Sequence, residues 1–318
     1  MKDNFSKPEY VIVLGTTGSG SGAVFEYLDG RKDLYNPMGG EEYPLPMLPF
    51  GLMSLEAMSD KAFDPATTEH AIIQFKSIAY KLMNYWAKES ESGELIKNLP
   101  LFKNAIDQFI EDISPADFPM RLFWRQLLES RAQNYFNKFK KYFGLKKKSS
   151  KARLLVSQND LIIAAQKMHN KMFCSYSNDR PVLLDQGGTG WNPIESTKYF
   201  LNCKIVLVIR DPRDQYAEIK QYKGATSVEG YIDWYNEMQR RLKLIDDPKI
   251  LIVQFENFVK NNEKITKILC DHMSISSNTS SNYQSILSKK NIGKYNQLLL
   301  KSEIELIENR LGKYIFNS

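Results

Sequence analysis

Cysteine and histidine are both scarce, with three of each in 318 residues. Cys174, Cys203 and Cys270 are scattered and odd in number, and no Cys-x-x-Cys or Cys/His pair has metal-ligand spacing. Neither a zinc site nor a disulfide framework is indicated. His70, His169 and His272 stand alone and read as surface or helix residues, not as ligands. No apolar run approaches the roughly 18 residues that a membrane-spanning helix needs. The opening MKDNFSKPEY has no apolar stretch of signal-peptide length. These absences lead us to expect a soluble, cytoplasmic chain without a metal. An apolar content of 42% and a charged content of 25% are those of a globular protein. A net charge of +6 suits an anionic ligand or surface without indicating nucleic acid, which we do not expect as a partner.

The most informative stretch runs from Tyr10 to Leu28. Val11, Ile12, Val13 and Leu14 read as a short buried strand that stops at Gly15. A loop of Thr, Gly and Ser follows, and then apolar positions at helical spacing from Ala23. Strand, glycine loop and helix together present backbone N–H groups and a helix N-terminus to a phosphate-like anion. Gly18, Gly20 and Gly22 permit close approach, and Thr17, Ser19 and Ser21 bring hydroxyls. A Walker A loop would place lysine after Gly20 and Ser/Thr after that; Ser21 and Gly22 stand there instead. A dinucleotide GxGxxG fingerprint fits no better. The loop is an anion cradle without a built-in cation, or else an ordinary tight strand-to-helix turn.

Further along, Asp33 to Pro49 is rich in breakers and holds the adjacent pair Glu41-Glu42, a loop expected over the carboxyl edge of a sheet. Solvated carboxylates are the plain alternative for that pair. Residues 54–180 change character, with helical stripes over 71–86, 101–113 and 118–143, and read as a helical insertion. It contains a run from Lys138 to Arg153, with Lys138, Lys140, Lys141, Lys146, Lys147, Lys148 and Lys151 interleaved with aromatics and Ser149-Ser150 as a hinge. That run is a solvated helix end and linker, or a basic surface for an anionic membrane or polyanionic acceptor. Val182 to Asp185 and Lys204 to Ile209 read as strands, the second continuous and β-branched as buried parallel strands are. Ile250 to Val253 is a further strand. Helices are expected at 161–174, 195–201, 228–245 and 263–273, with Asn278 to Ser288 a loop and Ser302/Glu305 a capping box for the last helix. The alternation predicts an α/β fold, a P-loop-type parallel β-sheet flanked by helices, in one domain spanning 1–318.

Four segments occur in order: the Gly/Ser loop, Arg210-Asp211-Pro212-Arg213-Asp214 after a buried strand, Val253 to Phe258, and Lys289 to Tyr295. Their order and spacing resemble the sulfotransferases that use PAPS (3′-phosphoadenosine 5′-phosphosulfate), especially bacterial and Golgi-type carbohydrate enzymes. The resemblance covers roughly residues 10–45 and 180–315. It implies that Thr17, Gly18, Ser19, Gly20, Ser21 and Gly22 hold the 5′-phosphosulfate, and that Arg210 meets the 3′-phosphate. Lys289, Lys290, Asn291 and Gly293 then match a late loop that closes over it. It also implies a glutamate base a little over 20 residues past the loop, where Glu41 and Glu42 fall, Glu41 being slightly favoured. Asp214 is read as the cap of the next helix. Three positions depart from the family: Gly18 where a Lys or Arg is usual, Gln186 where many bacterial members have lysine, and Glu218 where a serine meets the 3′-phosphate. Lys76, Arg31, Arg213, Lys220 or a residue of the insertion are the candidates to supply the missing charge.

The reading implied is transfer of a sulfuryl group from PAPS, leaving PAP (its desulfated product), to a hydroxyl or amine of a carbohydrate or glycolipid. Two alternatives stay open. One is a sulfotransferase fold with a changed or lost donor. The other is a P-loop phosphotransferase with Val182 to Asp185 as a Walker B-like strand.

Overall fold

Along β1 the residues Tyr10 to Leu14 are all fully buried, and successive side chains go to opposite faces of one sheet. The computed structural model describes residues 9–59, 64–89, 93–119, 131–143, 151–224 and 227–316. The chain begins with β1 (Tyr10–Gly15), α1 (Ser21–Asp29), α2 (Leu52–Ser59), α3 (Pro65–Glu89), α4 (Gly93–Asp112), β2 (Ala116–Pro119), α5 (Arg131–Tyr142), β3 (Lys151–Leu154) and α6 (Gln158–Phe173). It continues through β4 (Val182–Asp185), α7 (Pro193–Thr197), β5 (Cys203–Ile209), α8 (Pro212–Lys223), α9 (Val228–Leu242) and β6 (Ile250–Gln254). The remaining helices are α10 (Phe255–Lys260), α11 (Asn262–Met273), α12 (Ser285–Lys289), α13 (Tyr295–Leu298) and α14 (Lys301–Leu311).

The main sheet has the order β4-β1-β5-β6, with every pair parallel. Val11, Val13, Leu183, Val206, Val208 and Val253 face a core shared with Val24 and Leu28 of α1 and Phe258 and Leu269 of α10 and α11. Tyr10, Ile12, Leu14, Leu184, Ile205 and Leu207 face a larger core that includes Phe75, Phe102 and Phe109 of the insertion and Tyr235 of α9. Both faces are covered, which is why these strands read as continuous apolar runs. Each fully buried side chain of this kind stabilises the fold by about 1.5–3 kcal/mol. The fold is thus the mixed α/β architecture expected, a parallel sheet flanked by helices. All four strands end at one edge, and the segment after α1 runs along it: Tyr35 and Glu42 make isolated parallel bridges to Val182 and Asp185.

The insertion is mainly helical, as expected, with differences in detail. Residues 116–119 pair antiparallel with 151–154, so part of the stretch read as helix, and part of that read as a linker, form a two-stranded ribbon. Four-residue strands carry almost no periodic signal, and partner pairing decides them. Lys146, Lys147, Lys148, Ser149 and Ser150 lie outside the described residues. The last helix starts at Lys301, and Glu303, not Glu305, folds back to accept the Leu300 N–H at 2.8 Å. A short helix over 285–289 takes up the end of the stretch expected to be loop. His169 is a core residue: its ring nitrogens lie 2.8 Å from the Tyr199 carbonyl and 3.0 Å from the Tyr43 hydroxyl, and burial lowers its pKa to about 4. No described helix is long and apolar enough to cross a membrane.

Candidate functional site

Strand β1 delivers the chain to a loop that turns on two left-handed glycines, Gly18 (φ +74°) and Gly20 (φ +82°). Gly20 is the N-cap of α1 and brings no side chain to it, so the first N–H groups of α1 have no capping partner from that residue. A Cβ at Gly20 would stand 2.5 Å from the Phe255 ring, so the loop backbone seats directly on that ring. Ser19 Oγ is folded inward over Gly15, buried and without a partner. Thr17 and Gly22 are exposed. The loop is held from two sides. Gln186, in the left-handed conformation after β4, donates from Nε2 to Ser21 Oγ (3.2 Å) and accepts from the Gly15 N–H. Gln215 of α8 donates to Thr16 Oγ1 (3.0 Å) and to the Thr17 carbonyl (2.7 Å). Gln186 therefore braces the loop where a lysine would have charged it.

Arg210 follows β5 directly, and its guanidinium is buried. Its Nη1 donates to the Gly18 carbonyl (3.0 Å) and to Glu218 (3.4 Å), and its Nη2 to the Asn291 carbonyl (2.7 Å). The Phe255 ring lies 4.9 Å from the guanidinium carbon, and Nε is buried without a partner. Arg210 thereby joins the glycine loop to the late segment. Asp214, one turn into α8, ties that helix to the late segment. It does not cap that helix; Asp211 does, accepting the Arg213 N–H at 2.8 Å. The Asp214 carboxylate instead accepts the N–H groups of Gly293 (2.7 Å) and Tyr295 (3.0 Å). Burial raises the Asp214 pKa, and those two hydrogen bonds act against that rise.

Glu218 lines a cleft of about 330 Å³ with Thr17, Gly18, Ile219 and Tyr222. Its carboxylate faces two cations, Arg210 and Lys294, the latter at 3.3 Å. Lys294 is the cation that sequence reasoning missed. One lysine in a polar loop carries no signal; its partner lies 76 residues away in the chain. The four candidates named for the missing charge are engaged elsewhere. Arg31 is bound to Asp33 (2.7 Å) and to the carbonyls of Ser276 and Thr279, Lys76 to Asp107, Lys220 to Glu303, and Arg213 to Asp211 and Glu308. Lys289 ends α12 and Lys290 follows it, both exposed, while Asn291 and Gly293 meet the site through their backbone.

At the other side of β1, Gly39 and Gly40 both take positive φ and turn the chain into Glu41. Glu42 then pairs in register with Asp185, the last residue of β4, and the Tyr43 N–H donates to the Asp185 carbonyl (2.9 Å). Asp185 Oδ1 is buried without a partner. Burial, and then the charge of Glu42, raise the Asp185 pKa to about 7, with the Gln186 N–H acting against them. Of the two glutamates, Glu42 is the one set beside a second carboxyl group. Asp185 can hold and release a proton near neutrality beside it.

Strand, glycine loop and helix, with an arginine just past the tip of the adjacent strand, define an α/β protein whose candidate ligand edge is the carboxyl end of its sheet. No protein-family model matches the sequence, and no curated protein matches it significantly. Solved structures similar in chain course include the sulfotransferase domain of the Synechococcus PCC 7002 olefin synthase, at 12% identity and a TM-score of 0.45, covering 100% of this chain and 99% of that one. The sulfotransferase domain of the curacin biosynthetic pathway is similar at 13% identity and 0.43, covering 96% and 99%. A sulfotransferase from Alicyclobacillus acidocaldarius is similar at 12% identity and 0.36, covering 96% and 97%.

Proposed function

We propose that this chain is a sulfotransferase that moves a sulfuryl group from PAPS to a hydroxyl or amine of a carbohydrate or glycolipid acceptor. The observation that carries the reading is convergence. The four segments whose order resembles that family meet at one sheet edge, where Arg210 touches Gly18, Asn291 and the Phe255 ring together. The glycine loop fits a phosphosulfate: it turns at Gly18 and Gly20, its backbone is open at Gly22, α1 points its N-terminus there, and Ser19 Oγ is an orphaned polar atom within it. Bound PAPS would supply the sulfuryl group. Ser21 and the N–H groups of α1 would hold its 5′ end, and Arg210 and Lys294 its 3′-phosphate, with exposed Lys289 and Lys290 adding charge. Glu42 would take the acceptor proton, with Asp185 beside it and Glu41 as its alternate.

Glu218 sets the condition on this scheme. It occupies the face of Arg210 that a phosphate needs, so the 3′-phosphate must displace it, and Lys294 is then free to follow the phosphate. Calorimetric titration with PAP tests this. Binding of about micromolar strength is expected, weakened about tenfold or more in Arg210→Ala and tightened several-fold in Glu218→Gln. Absence of PAP binding in both the wild type and Glu218→Gln would overturn the donor. Binding by Glu218→Gln alone would mean a changed donor on the same fold. With an acceptor in hand, Glu42→Gln should lower turnover by about 10²–10⁴-fold at unchanged PAP affinity. Full activity in both Glu42→Gln and Glu41→Gln would remove these residues as the base.

A further inference from the structure

Helix α5 turns an aromatic face to solvent. Tyr135, Phe136, Phe139, Tyr142 and Phe143 are each between 57% and 87% exposed. At about 100° per residue the five positions fall within an arc of roughly 120°. The Phe143 N–H donates to the Phe139 carbonyl (3.1 Å), so the helical ladder carries the last ring onto the same side. The rings touch: Phe139 and Phe143 have centroids 4.5 Å apart, Tyr142 and Phe143 5.4 Å. They form one strip, and a contiguous exposed strip marks an interaction site where scattered apolar residues do not.

The same helical geometry puts positions 138 and 140 at the two margins of the strip, and both are lysine. Lys140 is half-buried, with Nζ 4.7 Å from the centre of the Phe136 ring, so its stem covers apolar surface and its charge stays at the edge. In chain order α5 lies between the paired strands β2 and β3.

We propose that α5 is a docking helix for an anionic lipid surface. Its aromatic strip enters the boundary between headgroups and acyl chains, and the marginal lysines meet lipid phosphates. Charge complementarity selects this occupant: Lys140 covers one margin of the strip and the helix position at the other margin, 138, is also lysine, on a chain of net charge +6. A sugar chain would require hydrogen-bonding groups, yet three of the five rings are phenylalanine. A second copy packed strip to strip would bring the bordering lysines together. The inference stands on α5 and does not depend on the identity of the donor.

Flotation of the full chain with vesicles is the test, using phosphatidylcholine alone and phosphatidylcholine mixed with phosphatidylglycerol. Binding to the mixed vesicles that weakens with added salt is expected. It should fall at least about tenfold in Phe136→Ser/Phe139→Ser and in Lys138→Glu/Lys140→Glu, while thermal melting stays unchanged because the serine-substituted rings are exposed. Phe139→Trp should show a blue-shifted emission, against the wild-type background, on mixed vesicles. Three results would overturn the proposal. One is no binding, or equal binding to neutral vesicles. Another is binding to an anionic polysaccharide but not to vesicles. The third is a dimer in solution that the double serine variant dissociates.

Discussion

Asp185 carries a pH dependence that can be worked out in sign. Its folded pKa, about 7, lies above the ordinary aspartate value, so between about pH 4 and pH 7 the folded chain holds more protons than the unfolded one. Stability from this group is therefore full below that window and declines as pH rises through it. Asp185→Asn should raise the melting temperature by about 2–6 °C at pH 8 and change it little at pH 4. Equal shifts at both pH values would show that Asp185 stays ionised. Single residues were also where the sequence was least legible. Asp211 and Asp214 both stand near the start of α8, and nothing local distinguishes a cap from a clamp; the distinction comes from Gly293 and Tyr295, far away in the chain. Glu218 was recognised as out of place for a phosphate site, and its resolution by Arg210 and Lys294 needed the fold.

Elements were legible where burial is continuous. β1, β4, β5 and β6 followed from apolar runs, and α6, α9 and α11 from their stripes. β2 and β3 did not, because their stability lies in pairing. The late segment around 291–295 has its own consequence. Its backbone is fastened through Asp214 and Arg210, while Ile292 and Tyr295 pack against the two cores. Asp214→Asn should loosen it by about 1–3 kcal/mol. Amide exchange at Gly293 and Tyr295 should then speed by about 10-fold or more while β5 keeps its protection. Unchanged exchange would show that the segment is held from elsewhere.

At the scale of the whole molecule, the larger core runs without a break from the sheet into the insertion, which accounts for the aromatic density of residues 71–113. A polar knot ties the same parts. Glu56 of α2, buried, accepts from Lys198 (2.7 Å), from the Tyr199 hydroxyl and from Gln158 of α6. Burial pushes its pKa up, but those hydrogen bonds outweigh it and hold the carboxylate ionised. Glu56→Gln should cost about 1–3 kcal/mol in urea unfolding at neutral pH, and less as pH falls through the carboxylate range. No loss would show the insertion to be held by apolar packing alone.

The seating of Gly20 on the Phe255 ring has one more use. The Gly20 α-protons sit within the field of an aromatic current, and the Arg210 guanidinium shares that ring. Their proton resonances should therefore lie away from ordinary positions and move together when the loop is occupied. A single pair of signals would then report, without any label or assay, whether both ends of the site respond to one ligand.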